Sequence, residues 1–259
     1  MSKKTAGFFH VGSLFLIIAI GVVVAVGVFV VSKNKNSGGS SSLPNCPAGK
    51  QLLQYSPVAE ADLTTIVPLG NLAPPGHILP TSHMYFNFVH NGKGNGSYPA
   101  KTNIIVPADM TATRMLKINT KNSFTEYDAY RIEFVICKQV SGYFILVQQL
   151  NEKLAAAYDS APFDSNSENK TISVPLSAGE LLGSAGGAQG YPDGIDFTIS
   201  DTRSSPPVLA NPDRWNDSGK HFSCALDYFS PELSSRLYAK IGGFSYVPKD
   251  PGEPKCGTV

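Results

Sequence analysis

The chain has 259 residues, of which 42% are hydrophobic, and this is enough apolar material for one substantial core. It carries 21 Lys and Arg against 20 Asp and Glu, and this balance argues against nucleic acid binding, which needs clustered positive charge. Its 24 glycines and 19 prolines favour many short strands over long helices.

The first predicted element is a membrane span. Residues 7–31 contain no Lys, Arg, Asp or Glu, and about 25 residues at roughly 1.5 Å each can cross a bilayer core of about 30 Å. The alternative is a cleaved signal peptide, but its apolar region would be shorter and would precede a small-x-small cleavage site. This run is longer and ends in VFVVSKNK, which favours an uncleaved anchor.

The composition after this run divides the rest of the chain into a linker and a body. We expect residues 1–32 to anchor the chain in a membrane, and residues 33–44, which are rich in Gly and Ser, to form a flexible tether. Residues 45–259 are then one β domain on the extracytoplasmic side of that membrane.

All four cysteines follow the predicted anchor, and they show no Cys-x-x-Cys spacing that would indicate a zinc ribbon or a redox site. An even number in an exported domain predicts two disulfides, although buried thiols are the alternative. Three connectivities are open. We expect Cys46–Cys256, which would tie the two ends of the domain together, and Cys137–Cys224.

Residues 68–89 hold two of the five histidines, His77 and His83, beside a segment rich in Gly and Pro. From residue 83 onward apolar and polar residues alternate, which is typical of a half-buried strand. The apolar side chains predicted to face the core are Met84, Phe86 and Phe88. His83 then lies on the opposite face. The simpler interpretation is one loop histidine and one surface histidine.

Further strands are predicted along the body, with a hairpin turn at residues 141–142. The predicted strands are residues 103–108, 112–119, 130–138, 143–148, 172–176 and 195–200, followed by Asp201, which closes the last one. The glycine-rich residues 178–190 should not form one unbroken element. Helices are predicted at residues 149–158 and 230–242, the second with Ser230 as its N-cap and Pro231 at its first position. The expected fold is mainly β, one antiparallel sheet or barrel-like domain with two short helices.

Strand alternation places His83 and Asp196 on the polar faces of their strands. Together with His77 they form a set of two imidazoles and one carboxylate, which suits a divalent metal with an open coordination position. The spacing alone does not bring Asp196 to the histidines. The sequence shows no Gly-x-Ser-x-Gly elbow and no P-loop.

Between about residues 68 and 201, the order of segments resembles the lysostaphin/LytM-type zinc endopeptidases that cut cell-wall peptides. The segments that carry the resemblance are GHILPTSH, NIIVPADMTATRM, GYFILVQQL, VPLSAGELLGSAGGAQG and GIDFTIS. The run AGELLGSAGG is the most similar to the family's glycine-rich phrase. The resemblance implies a LytM-like fold of the duplicated hybrid motif type, with zinc held by His77, His83 and Asp196, and a cell-envelope peptide or glycan as partner.

The chain also departs from the family's pattern. Five residues intervene between His77 and His83, where the family has three. The family's two further histidines, which orient water and stabilise the oxyanion, fall near Ile145 and at Gly194. Neither residue has a side chain that can transfer a proton or donate a hydrogen bond.

The sequence therefore predicts a membrane-anchored binding or scaffolding module of the cell envelope, with lost or reduced peptidase activity. One alternative is an active zinc peptidase that cleaves cell-wall peptides with the same three ligands. A second alternative is a purely structural surface protein without a groove.

Overall fold

The computed structural model describes residues 43–69, 81–93, 96–165, 167–204, 221–242 and Cys256. All of them belong to one compact unit, Ser42–Val259. The predicted anchor, nearly all of the predicted tether and His77 lie outside the described residues. Within the described ranges, no helix is long and apolar enough to cross a membrane.

Antiparallel strands make up most of the described domain, so the prediction of a mainly β fold is confirmed. The strands are β1 (Leu63–Val67), β2 (Met84–Phe88), β3 (His90–Asn91), β4 (Tyr98–Pro99), β5 (Thr102–Ile105), β6 (Met110–Lys121), β7 (Glu126–Cys137), β8 (Val140–Val147), β9 (Gln149–Leu150), β10 (Asn169–Leu176), β11 (Leu181–Ala185), β12 (Gly194–Asp201) and β13 (Phe222–Ser223). The large sheet has the order β1-β2-β12-β8-β7-β6-β10, with β13 paired to β12. A smaller sheet has the order β5-β11-β9, and β3 pairs with β4.

Both predicted helices form, and each begins at a capping side chain. The helices are α1 (Glu152–Ser160) and α2 (Pro231–Tyr238). The Asn151 side chain accepts a hydrogen bond from Leu154 N–H, and the Ser230 side chain accepts one from Leu233 N–H, which satisfies backbone donors of the first turn. Helix α1 begins later than predicted because Gln149–Leu150 forms β9 and pairs with β11.

The aromatic part of the core lies on one face of β2, β12 and β8. Met84, Phe86 and Phe88 of β2 are buried, as the alternation predicts. Phe86 contacts Phe197 of β12 edge to face, and Phe197 stacks on Phe144 of β8 with ring centroids 4.8 Å apart. These aromatic contacts across three neighbouring strands fix the positions of β2, β12 and β8 relative to one another.

The glycines of this region allow close contact between strands. The β7–β8 hairpin turns at residues 138–139, not at residues 141–142, so Gly142 lies inside β8. A side chain there would overlap the Thr198 carbonyl oxygen of β12 and would lie 2.6 Å from the Phe134 ring.

The glycine-rich residues 178–190 are not one unbroken element, as predicted, although their centre forms β11.

Two disulfides form, but the predicted pairing of Cys46 with Cys256 and Cys137 with Cys224 is wrong. The pairs are Cys46–Cys137 and Cys224–Cys256, with Cα–Cα distances of 5.1 and 4.7 Å. Cys46 N–H donates to Gln139 Oε1, and Lys138 N–H donates to the Pro44 carbonyl. The start of the domain therefore runs beside the β7–β8 hairpin, which brings Cys46 to the end of β7.

We predict that Gly142→Ala destabilises the domain by about 3 kcal/mol, because the added methyl group meets backbone of β12 that cannot rotate away. Gly242→Ala is the matched control, since nothing lies within 4 Å of a methyl group at that position. Urea unfolding of the two variants measures the difference. Equal stability of the two variants would contradict the close contact between β8 and β12.

Candidate metal and ligand site

The pairing of β2 with β12 creates the candidate site. Asp196 lies opposite Tyr85 in this antiparallel pair, and opposite residues project from the same side of a sheet. This side faces away from the phenylalanine core. His83, one residue before β2, reaches the same side. Strand β8 pairs with β12 along its other edge, and there Ile145 lies opposite Asp196.

The side chains of His83 and Asp196 meet at this position. His83 Nδ1 lies 3.5 Å from Asp196 Oδ2, with 12% and 9% of the two side chains exposed. The His83 ring also contacts the Tyr85 ring edge to face, with centroids 4.7 Å apart. The structure thus brings together two of the three residues predicted to bind metal, and the third, His77, lies outside the described residues. Among the described residues, no three His, Cys, Asp or Glu side chains form a group that could hold a metal ion.

The Asp196 carboxyl group is poorly solvated. Burial raises its pKa to about 7. Its Oδ1 atom is buried and has no hydrogen-bond partner among the described residues. Ionising such a group is costly unless a cation or hydrogen-bond donors approach it. A carboxylate of this kind beside an imidazole fits part of a zinc site, in which nitrogen and oxygen ligands surround the ion.

Asp201, at the other end of β12, is a contrasting case. It is 1% exposed, and it accepts hydrogen bonds from Arg203 and from the Tyr228 hydroxyl. Although burial opposes the effect, these hydrogen bonds lower the pKa of Asp201. The sequence pattern predicts only that Asp201 closes the strand. Its partners make it a structural carboxylate, whereas no described residue donates a hydrogen bond to Asp196 Oδ1 on the same strand.

Two side chains that the sequence did not assign to the site, Thr198 and Tyr143, hold the backbone before His83. The Ser82 carbonyl accepts hydrogen bonds from Thr198 Oγ1 at 3.0 Å and from the Tyr143 hydroxyl at 3.3 Å. The Arg131 guanidinium lies over the Tyr143 ring, 4.2 Å from its centroid. One signal was present in the sequence, since Tyr143 precedes the core residue Phe144 and therefore belongs to the polar face of β8.

The tyrosine beside the pair is protonated. Burial, together with the negative charge of Asp196 and a smaller effect of Tyr143, raises the pKa of Tyr85 far above its ordinary value. The Tyr85 phenol therefore keeps its proton at neutral pH. The surroundings of Asp196 thus contain a neutral hydroxyl group and a neighbouring imidazole.

The two positions where the resemblance would place further histidines have no polar side chain. Ile145 lies beside Asp196 on β8. A side chain at Gly194 would collide with the backbone at Phe86 and Asn87, where β12 lies against β2. A histidine at residue 194 is therefore incompatible with this backbone arrangement.

No protein-family model, curated protein or solved structure matches this chain.

We predict that Asp196 makes the metal-free protein less stable as the pH rises. Its pKa in the folded state is about 7, above the ordinary value of 3.8, so the folded state holds a proton that the unfolded state releases. Its contribution to stability is full below about pH 4 and is lost as the pH rises to about 7. At roughly 1.4 kcal/mol per pKa unit, the free energy of unfolding falls by at most about 4 kcal/mol over this range. Asp196→Asn removes this contribution to the pH dependence and stabilises the protein at neutral pH.

Urea unfolding in EDTA at several values between pH 4 and 8 measures the effect as the difference between wild type and variant. Asp201→Asn is the control on the same strand, and its folded-state pKa is shifted in the opposite direction. It should destabilise the protein at neutral pH. A difference between wild type and Asp196→Asn that does not change with pH would contradict the burial of an ionisable Asp196.

Proposed function

We propose that the domain is a LytM-like binding module of the cell envelope, anchored in a membrane by residues 1–32, with little or no peptidase activity. In this proposal, a zinc ion at His83 and Asp196 contributes to the binding of an envelope peptide. The observation that carries the proposal is the contact between the two side chains, 3.5 Å apart on the polar face of the large sheet.

The electrostatics of Asp196 support a metal at this position. A divalent cation would offset the cost of ionising a carboxylate that is buried and has an unsatisfied oxygen. His83 and Asp196 would provide two ligands, and His77 would provide the third, as the resemblance implies. When bound, zinc polarises a carbonyl oxygen and lowers the pKa of a coordinated water.

The surrounding side chains suit a peptide ligand. Tyr85 and Tyr143 lie on the same polar face as Asp196, and Arg131 lies over Tyr143. A phenol oxygen that has donated its own proton can still accept a hydrogen bond from an amide N–H. The Arg131 guanidinium pairs with Glu133 at 3.1 Å and keeps further N–H donors for a carbonyl or carboxylate oxygen. Peptides offer both kinds of group, and a peptide across this face would also reach the ion.

The proposed loss of activity rests on the two positions where the family carries its further histidines. An acid–base group contributes about 10²–10⁴-fold to rate, and one oxyanion donor contributes about 10²–10³-fold. Ile145 provides neither, and the backbone at Gly194 leaves no space for a side chain. Binding can therefore persist without efficient hydrolysis.

The disulfides favour the location that this proposal requires. Cys46–Cys137 and Cys224–Cys256 would form and persist in an oxidising compartment, such as the outer side of a cytoplasmic membrane. This agrees with an extracytoplasmic body behind an N-terminal anchor.

The second candidate function is active zinc peptidase activity. It is favoured by the protonated phenol of Tyr85 next to His83, because such a group could stabilise an oxyanion in place of a histidine. The two functions differ in whether a bound peptide is cut.

We predict that the purified full-length protein binds one zinc ion per chain, and that His83→Ala and Asp196→Ala each weaken zinc binding at least tenfold by removing one ligand. The matched control is His90→Ala. His90 also faces a carboxylate, with Nε2 3.3 Å from Asp193 Oδ1, but both side chains are more exposed than the buried pair. Zinc content and calorimetric titration measure the binding.

A cell-wall stem peptide added to the zinc-loaded protein separates the two candidate functions. Binding that requires His83, without cleavage over many hours, supports the binding module. Cleavage that disappears in Tyr85→Phe would instead support the peptidase, and equal zinc affinity of wild type and His83→Ala would contradict both.

A further inference from the structure

A concave site lies where the large sheet meets the smaller sheet, and it includes neither His83 nor Asp196. It is a cleft of about 210 Å³ between the start of β7, strand β9 and the end of β11. Its lining includes Tyr127, Tyr191, Gln148 and Gln149. The volume is below the roughly 300–1,000 Å³ of sites for drug-sized molecules, so it suits a ligand unit about the size of one ring.

The amide groups of the cleft are held in fixed orientations. Gln148 Oε1 accepts a hydrogen bond from Gly186 N–H at 2.7 Å, and Gln149 Oε1 accepts one from Ser184 Oγ at 3.1 Å. Ser184 of β11 holds the carbonyl oxygen of Gln149, and Gly186, the residue after β11, holds that of Gln148. The position of each Nε2 donor is therefore fixed as well. The cleft thus has two neighbouring amide groups ordered before any ligand binds, which lowers the entropy cost of binding.

The backbone beside these amides is equally constrained. Gly186 has a φ of +78°, which L side chains rarely adopt, and a side chain there would collide with the Ala100 carbonyl. This conformation directs Gly186 N–H to Gln148. The wall of the cleft is therefore fixed by a glycine at a position that no other residue would occupy without strain.

Two aromatic rings provide the apolar part of the cleft. Tyr127 and Tyr191 contact each other edge to face, with centroids 5.5 Å apart and ring planes at 64°. In this geometry the face of one ring meets the edge of the other. Ring faces of this kind pack against C–H groups, and their hydroxyls hydrogen-bond to polar groups of the same ligand.

The acidic residues of the lining are compensated. Asp128 pairs with Lys117 at 2.6 Å, and Glu126 pairs with Lys121 at 3.7 Å across the β6–β7 hairpin. Neither carboxylate therefore makes the cleft a site for a cation. One lysine, Lys101, also lines it and can donate to a hydroxyl oxygen.

We propose that this cleft binds a saccharide. A sugar ring combines an apolar C–H face with a rim of hydroxyl groups, and each hydroxyl both donates and accepts hydrogen bonds. Tyr127 and Tyr191 match the face, while the amides of Gln148 and Gln149 match the rim. The proposal goes beyond the metal site and does not depend on it.

The test uses the full-length protein in EDTA, so that the metal site makes no contribution. The probes are the tetramer of N-acetylglucosamine, cellotetraose and adenosine, measured by calorimetry and by saturation-transfer NMR. We expect at least one of the two saccharides to bind with a Kd near 1 mM or tighter, and its C–H protons to receive saturation from tyrosine rings. Tyr191→Ala should weaken binding about tenfold, and Gln148→Ala about three- to tenfold.

Gln54→Ala, which removes an exposed amide outside the cleft, should leave binding unchanged. A conservative variant, Tyr191→Phe, keeps the ring and should retain more affinity than Tyr191→Ala, which separates a local effect from loss of folding. Absence of saturable binding of both saccharides, binding of adenosine alone, or equal binding by wild type and Tyr191→Ala would each overturn the proposal. Because the metal is absent throughout, these results do not depend on the outcome of the zinc experiments.

Discussion

The antiparallel pairing of β2 with β12 is the constraint on which the candidate site depends. The register sets Phe197 opposite Met84 and Asp196 opposite Tyr85. A slip of one residue would turn the phenylalanines of the core towards solvent and would move Asp196 into the core. The aromatic contacts of Phe197 with Phe86 and Phe144 therefore hold the carboxylate in place as well as the core.

The two buried aspartates of β12 show how the same residue type has different roles on one strand. Asp201 is saturated by Arg203 and Tyr228, and its charge ties the end of β12 to the residues that follow it. Asp196 is nearly as buried, but one of its oxygens lacks a hydrogen-bond donor among the described residues. A carboxylate kept in that state lowers the stability of the isolated fold. In the proposed function, a bound cation would offset that cost.

Local pattern was sufficient to predict the elements that hold this site. The alternation around Phe86 identified β2 and its buried face, and Ser230 with Pro231 marked the start of α2. The same alternation put His83 and Asp196 on polar faces. It could not show that they meet, because strand order in a sheet is decided by contacts between distant segments.

The errors also have physical causes. The partner of Cys46 depends on where the first residues of the domain run. That path is fixed by hydrogen bonds to the Lys138 backbone and to the Gln139 side chain, which no local signal encodes. Gly142 was assigned to a turn because glycine favours turns. Its actual role is close approach to β12, and only the neighbouring strand reveals this. The cleft at Tyr191 has no sequence motif, since it joins residues from five separate segments.

The most direct test of a metal centre at His83 and Asp196 is the X-ray absorption spectrum of the zinc-loaded full-length protein. We predict that this metal centre has a first coordination shell of nitrogen and oxygen at about 2.0–2.2 Å, with the multiple scattering of two imidazoles, falling to one imidazole in His83→Ala. A shell without imidazole scattering, or a spectrum that His83→Ala leaves unchanged, would contradict it.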